Sequence, residues 1–128
     1  MPLLSLFSSL FSPSASGVRR VTPGEAAQMV RDKKAVLVDV REPGEWAGGV
    51  AAPAALLPLS DLTGARRQWQ PFLRQLGDRE IILYCLSGAR SGRAASVLAR
   101  EGFRTANAGG FRDWVNACLP VAGRAGTR

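Results

Sequence analysis

The sequence predicts an α/β domain, a sandwich with a central, mainly parallel sheet flanked by helices. Two continuous apolar runs, at 35–38 and 81–84, have the composition of strands covered on both faces. A helix start at Thr22 precedes the first run, and a helical apolar pattern stopped by Gly102 follows the second, so strands and helices alternate. Sheets of this class bind ligands at the carboxyl ends of their strands, which directs attention to the residues just after each run.

In chain order, residues 1–17 are expected to form an apolar N-terminal tail or helix, whose helical spacing would put Leu3, Phe7, Leu10 and Phe11 on one face and Ser5, Ser8, Ser9 and Ser12 on the other. The segment is too short to span a bilayer. No Lys or Arg precedes its apolar run as in an export signal, although Ser14-Ala15-Ser16 supplies small residues of the kind a cleavage site uses. Three readings stay open for it: docking on the domain or a partner, membrane contact through residues 3–11 or export, and disorder. The expected location is cytoplasmic, with export or peripheral membrane attachment as the alternative. A folded domain is expected over 18–120 and a flexible C-terminal tail over 121–128.

Thr22-Pro23-Gly24-Glu25 reads as a helix start, with Thr22 as N-cap, Pro23 at the first helical position and Glu25 closing a capping box; the helix should run to about Lys33. Asp39 ends the first strand. Residues 41–58 are rich in Gly, Pro and Ala, which predicts a long connection with at most a short strand near Leu56-Leu57 and Trp46 as its anchor in the core. Leu62, Trp69, Phe72, Leu73 and Leu76 recur at helical spacing, interrupted by Gly64 and Pro71, so a short turn and then a helix ending at Gly77 are expected. A helix over 91–101 presents Ala94, Ala95, Val97, Leu98 and Ala99 as its apolar face. A short strand near 104–106, a turn over 107–110 and a last helix with Phe111, Trp114 and Val115 complete the domain.

The chain has 128 residues, enough for one core, and carries 17 Lys+Arg against 10 Asp+Glu, a formal charge of +7. The arginines are spread along the chain and no aromatic residues interleave with them, which predicts a solvated basic surface and no nucleic-acid partner. The positive field still favours a small anionic substrate. Cys85 and Cys118 are too few for a disulfide scaffold, and their spacing matches no zinc pattern. Histidine is absent, so a cysteine acting here must obtain its thiolate without a histidine base.

The stretch that carries chemistry is Cys85-Leu86-Ser87-Gly88-Ala89-Arg90-Ser91, a loop between a buried strand and a helix. Such a turn aims successive backbone N–H groups and the positive end of the helix into one concavity, which lowers the pKa of a cysteine at its entrance. Gly88 admits torsions that a side chain would hinder, and Arg90 adds a cation beside the sulfur.

This loop resembles the active-site loop of rhodanese domains, which often reads Cys-x-x-Gly-x-Arg-Ser. Upstream, Asp39-Val40-Arg41-Glu42-Pro43-Gly44-Glu45-Trp46 is similar to the family's Asp-Val-Arg-x-x-x-Glu-aromatic signature. Gly102-Phe103 and residues 107–114 resemble its closing segment, especially in the small phage-shock type of sulfurtransferase. The resemblance covers roughly residues 18–120 and implies a rhodanese-like three-layer sandwich. It implies a sulfurtransferase that moves sulfur from a small anionic donor such as thiosulfate to an acceptor, cyanide or a small-molecule or protein thiol, through a persulfide on Cys85. No metal or organic cofactor is implied. Leu86, Ser87, Gly88, Ala89, Arg90 and Ser91 would bind the substrate, and Asp39, Arg41 and Glu45 would support the site. One departure stands out: the family commonly has Gly-His-Ile-Pro-Gly-Ala where this chain has Gly49-Val50-Ala51-Ala52-Pro53-Ala54, which bears on local loop packing more than on the chemistry.

Blander and rival readings exist. Cys85 alone could be a buried strand-end thiol, and Arg41, Glu42 and Glu45 read as structural, with a salt bridge positioning the loop. Cys118 reads as a bystander. A cysteine-dependent phosphatase or arsenate reductase would use a similar loop, but with five residues between Cys and Arg; here four intervene, making a cradle suited to one sulfur atom rather than a tetrahedral phosphoryl group. The remaining alternative is a sulfur carrier or a protein-interaction module of the same fold.

Overall fold

The computed structural model describes residues 18–123. The expected N-terminal tail, including its apolar residues 3–11, and residues 124–128 lie outside the described residues.

The chain forms β1 (Arg19–Arg20), α1 (Pro23–Arg31), β2 (Ala35–Asp39), a 3-10 turn (Pro43–Gly48), β3 (Val50–Ala51), β4 (Ala55–Leu56), α2 (Leu59–Leu62) and α3 (Trp69–Gln75). It continues through β5 (Glu80–Cys85), α4 (Ala89–Arg100), β6 (Thr105–Gly110), α5 (Phe111–Asn116) and β7 (Val121–Ala122). Five strands form one sheet in the order β1-β6-β5-β2-β4, every pair parallel. The central strands β2 and β5 are buried along nearly their whole length, as their apolar runs require.

Alternation along β5 divides the core. Ile81, Leu83 and Cys85 face a cluster with α2, α3 and α4, built around Trp69, Leu62 and Leu98. Ile82 and Tyr84 face the opposite layer with α1 and α5, where Ala26, Ala27 and Trp114 pack. The sheet is therefore the middle of three layers. Cys85 and Tyr84 are adjacent in sequence but belong to different faces.

Several local expectations are met for the stated reasons. The Thr22 side chain accepts from the Glu25 amide and Glu25 accepts from the Thr22 amide, so the capping box is formed; α1 ends at Arg31, two residues before the expected end. Asp61 accepts from the amides of Arg67, Gln68 and Trp69, which anchors the start of α3.

Other expectations need correction. The predicted turn over 107–110 is the second half of strand β6: Leu83 pairs with Asn107 and Cys85 with Gly110, leaving an extra residue on β6 as a bulge, and Gly109 carries it with φ of +87°. Glycine at a bulge looks like glycine at a turn. Trp46 is half-buried rather than a core anchor, because no residue of the 3-10 turn that carries it is buried. Ala99 is exposed and leaves the apolar face of α4 to its neighbours.

The 41–58 connection contains two short strands, and β3 pairs antiparallel with β7, so Val121–Ala122 of the expected C-terminal tail are strand-paired. That pairing packs the segment where this chain departs from the family pattern. Arg19–Arg20 form an edge strand that two arginines did not suggest. No helix among the described residues is long and apolar enough to cross a membrane.

Candidate active site

Cys85 is the last residue of β5 and is fully buried, at 0% exposure. Gly88, three residues on, is the N-cap of α4 with φ of +100°, a left-handed torsion that turns the chain sharply enough to bring its amide back over the sulfur. The Gly88 N–H donates to Cys85 Sγ at 3.0 Å, and Ser91 Oγ lies 3.5 Å from the same atom. Burial pushes the Cys85 thiol up; the Ser91 hydroxyl and amide, followed by the Gly88 and Ser87 amides, outweigh it, so the thiol ionises below its ordinary 9.0. The thiolate is thus favoured without a histidine, as the loop sequence requires.

Arg90, in the first turn of α4, reaches across to the 3-10 turn. Its Nη1 and Nη2 donate to Glu45 Oε1 and Oε2 at 2.7 and 2.8 Å. The Arg90 bond, opposed by burial and aided by the Glu42 amide, holds the Glu45 carboxyl down at about 2, and Glu45 in turn raises Arg90. Glu42 accepts from Ser60 Oγ at 2.7 Å, so the turn is also tied to α2. Two ion pairs form here: Glu45 takes Arg90, and Arg41 takes Asp39.

The expected site residues fall in three places. Leu86, Ser87 and Ala89 are exposed around the mouth of the loop, Leu86 at 57%, with Arg90 half-buried beside them. Gly88 and Ser91 are buried beneath, against the sulfur. Asp39 and Arg41 lie on the opposite face of the sheet, where Arg41 Nη2 donates to Asp39 Oδ2 (2.9 Å) and to the Gly49 carbonyl (2.7 Å), and Tyr84 OH donates to Asp39 Oδ2 (2.6 Å). That network braces the strand ends and does not touch Cys85. Cys118 is exposed beyond α5.

Two contributors escape sequence reading. Asn107 donates to the Gly88 carbonyl and accepts from Ser91, locking the loop to β6. Gly110 lets β6 pass against the loop: a Cβ there would overlap the Leu86 carbonyl oxygen and stand 3.0 Å from its carbon. The glycine pair was a visible signal, but it read as a turn. Among the described residues no cluster of His, Cys, Asp or Glu is placed to hold a metal ion.

Comparison with known proteins matches this architecture. The model of the rhodanese-like domain matches residues 22–117. A protein named sulfurtransferase from Allochromatium vinosum is 35% identical over 107 residues, covering 81% of this chain and 94% of its own. An uncharacterised Bacillus subtilis protein is 38% identical over 84 residues, covering 64% of this chain, and the aligned part spans 62% of that relative's length. The human single-domain sulfurtransferase superposes with a TM-score of 0.64 at 25% identity, covering 77% of this chain and 96% of that one. A buried cysteine under a glycine-capped helix start, at the carboxyl end of a parallel strand and inside a matching domain over 22–117, places this chain in the rhodanese-like domain family.

Proposed function

We propose that this chain is a sulfurtransferase that carries sulfane sulfur as a persulfide on Cys85. The observation that carries the reading is the buried Cys85 sulfur met by the Gly88 amide at 3.0 Å and by Ser91, which favours a thiolate nucleophile. The name of the Allochromatium relative and that of the human single-domain structure support sulfur transfer in general.

The reaction is a double displacement. The Cys85 thiolate attacks the outer sulfur of a donor such as thiosulfate, the donor's S–S bond breaks, and sulfite leaves with the bonding electron pair. The outer sulfur remains on Cys85 as an anionic persulfide. The loop N–H groups at 86–90 and the start of α4 stabilise that charge, as an oxyanion hole stabilises a developing oxyanion. Cyanide or a thiolate then attacks the terminal sulfur, and Cys85 leaves as thiolate. Each step moves one sulfur atom and needs no external oxidant or reductant.

Incubation of the full chain with thiosulfate alone should add the mass of one sulfur atom at Cys85, and excess cyanide should remove it as thiocyanate. Cys85→Ala should abolish both and Cys118→Ala neither. Aryl phosphate hydrolysis without a sulfur adduct would overturn the reading in favour of a phosphatase, and neither signal would favour an interaction module. An adduct with poor cyanide turnover would identify a carrier whose acceptor is a protein thiol.

A further inference from the structure

Asn107 stands on β6 with its side-chain amide turned into the Cys85 loop. Nδ2 donates to the Gly88 carbonyl at 2.9 Å, and Oδ1 accepts from the Gly109 amide at 2.9 Å. A carbonyl only accepts and a backbone amide only donates, so these two bonds fix which way the Asn107 amide points. Oδ1 also lies 2.7 Å from Ser91 Oγ, and since an amide oxygen cannot donate, Ser91 must give it the hydroxyl proton. The same Ser91 Oγ is 3.5 Å from Cys85 Sγ.

A hydroxyl has one proton and here two acceptors. Ser91 Oγ faces both Asn107 Oδ1 at 2.7 Å and Cys85 Sγ at 3.5 Å, and its one proton can serve only one of them at a time; while Cys85 is a thiol, the shorter bond to Asn107 holds it. When the thiol proton leaves to solvent, the sulfur becomes an acceptor facing a lone pair. Ser91 can donate to it only by rotating away from Oδ1, which then keeps the Gly109 amide alone. The stabilisation that the Ser91 hydroxyl gives the thiolate is therefore offset by the loss of its short, buried bond to Asn107.

We propose that Asn107 is a positioning residue that sets the protonation of Cys85 by competing with its sulfur for the single proton of Ser91. The consequence for rate rests on Cys85 being the nucleophile, but the titration is read on the resting protein without a sulfur donor, so the two readings fail separately. The charged groups around the sulfur are Arg90 on α4 and, acting on Arg90, Glu45 and Glu42 on the 3-10 turn. Asp113 on α5 accepts from the Gly110 amide, and Asp39, Arg41 and Tyr84 belong to the opposite face of the sheet. Altering Asn107 or Ser91 removes none of these charges.

The test is a double-mutant cycle on the Cys85 ionisation midpoint, followed by thiolate absorbance in a Cys118→Ala background so that one thiol titrates. Ser91→Ala removes a donor to the thiolate and should raise the midpoint. Asn107→Ala removes the competing acceptor but also loosens Gly88. In the presence of Ser91 its shift should be more acidic, by about one pH unit, than in the Ser91→Ala background. Equal shifts in both backgrounds would reduce Asn107 to a structural brace and overturn the proposal. Asn107→Val, a side chain suited to a buried strand, provides the same comparison if the alanine variant does not fold. The acidic limb of the rate profile should move with the midpoint.

Discussion

Arg90 and Glu45 meet fork to fork, Nη1 on Oε1 and Nη2 on Oε2, with about a third of each side chain exposed (34% and 32%). The pair joins α4 to the 3-10 turn over the Cys85 loop, and it also means that the cation beside the sulfur is offset by a carboxylate. Arg90→Ala removes the cation and leaves Glu45 uncompensated near the anionic donor. The kcat/KM for thiosulfate should fall roughly tenfold or more, an energy of about 1.4 kcal/mol. Adding Glu45→Gln to that variant should restore part of the loss, because the remaining repulsion is gone. Additive losses in steady-state kinetics would mean that the pair acts through loop geometry alone. Because both side chains are partly solvated, their coupling in folding stability should be small, about 0.5–1 kcal/mol.

The same pair predicts an acid limit to stability. Glu45 titrates at about 2 in the folded chain against an ordinary 4.5, so between these values the unfolded state binds more protons. The contribution is fully present above about 4.5 and is lost as pH falls toward about 2. Urea midpoints measured through that window should decline, and Arg90→Ala should flatten the decline. An unchanged slope in that variant would assign the acid sensitivity to other carboxylates. Activity responds to a different group: the rate of sulfur uptake should rise with pH and level off below the ordinary thiol value of 9.0, since the loop lowers Cys85.

Gly110→Ala tests the close approach of β6 to the loop. The added Cβ meets the Leu86 carbonyl group and stands 3.3 Å from Ser87 Cα, all backbone atoms that cannot swing aside. We expect a loss of about 1–3 kcal/mol and a larger fall in activity than in folded fraction, because the displaced segment carries the amides proposed to stabilise the persulfide. Gly44→Ala, with nothing within 4 Å of the new Cβ, is the control and should change stability by less than about 0.5 kcal/mol. Comparable losses in the two variants, measured by urea denaturation, would sink the explanation.

The parts of this fold legible in the sequence are those that a periodic pattern or a local motif fixes. The apolar runs of β2 and β5, the Thr22 cap and the glycine-opened helix after Cys85 each carry their signal within a few residues. What escaped depends on distant partners. The two-residue strands β1, β3 and β7 exist because β6 and each other supply their hydrogen bonds, and Arg19–Arg20 or Val121–Ala122 alone show no alternation. Asn107 read as a turn residue because Gly109 and Gly110 follow it, and its contacts to Gly88 and Ser91 come from a strand pairing with a bulge that no local spacing encodes. Asp39 and Arg41 are legible as structural support of the site, but the face on which they act depends on the strand pleat and on where Tyr84 places its hydroxyl.

That last point yields a separable prediction for Tyr84, the residue next to Cys85. Its hydroxyl donates to Asp39 Oδ2 at 2.6 Å and accepts from the buried Ala51 amide at 2.8 Å, while its ring stacks on Phe111 at 6.1 Å. Burial first, and then the bond to Asp39, push its phenol well above the ordinary 10.0, so it stays protonated and holds both partners at any working pH. Tyr84→Phe keeps the ring but leaves the Ala51 N–H without an acceptor and Asp39 with Arg41 alone. The cost should be about 1–3 kcal/mol. Asp39→Asn, which leaves Arg41 buried without its countercharge, should cost more, about 3–5 kcal/mol. Because Asp39 and Tyr84 face away from Cys85, and the network reaches the loop only through the charge of Arg41 on Glu45, both variants should keep near-normal kcat and KM at temperatures where they remain folded. Urea melts and steady-state rates on the same preparations separate the two effects: a deep loss of kcat in fully folded Tyr84→Phe would put this network into the chemistry instead of the scaffold.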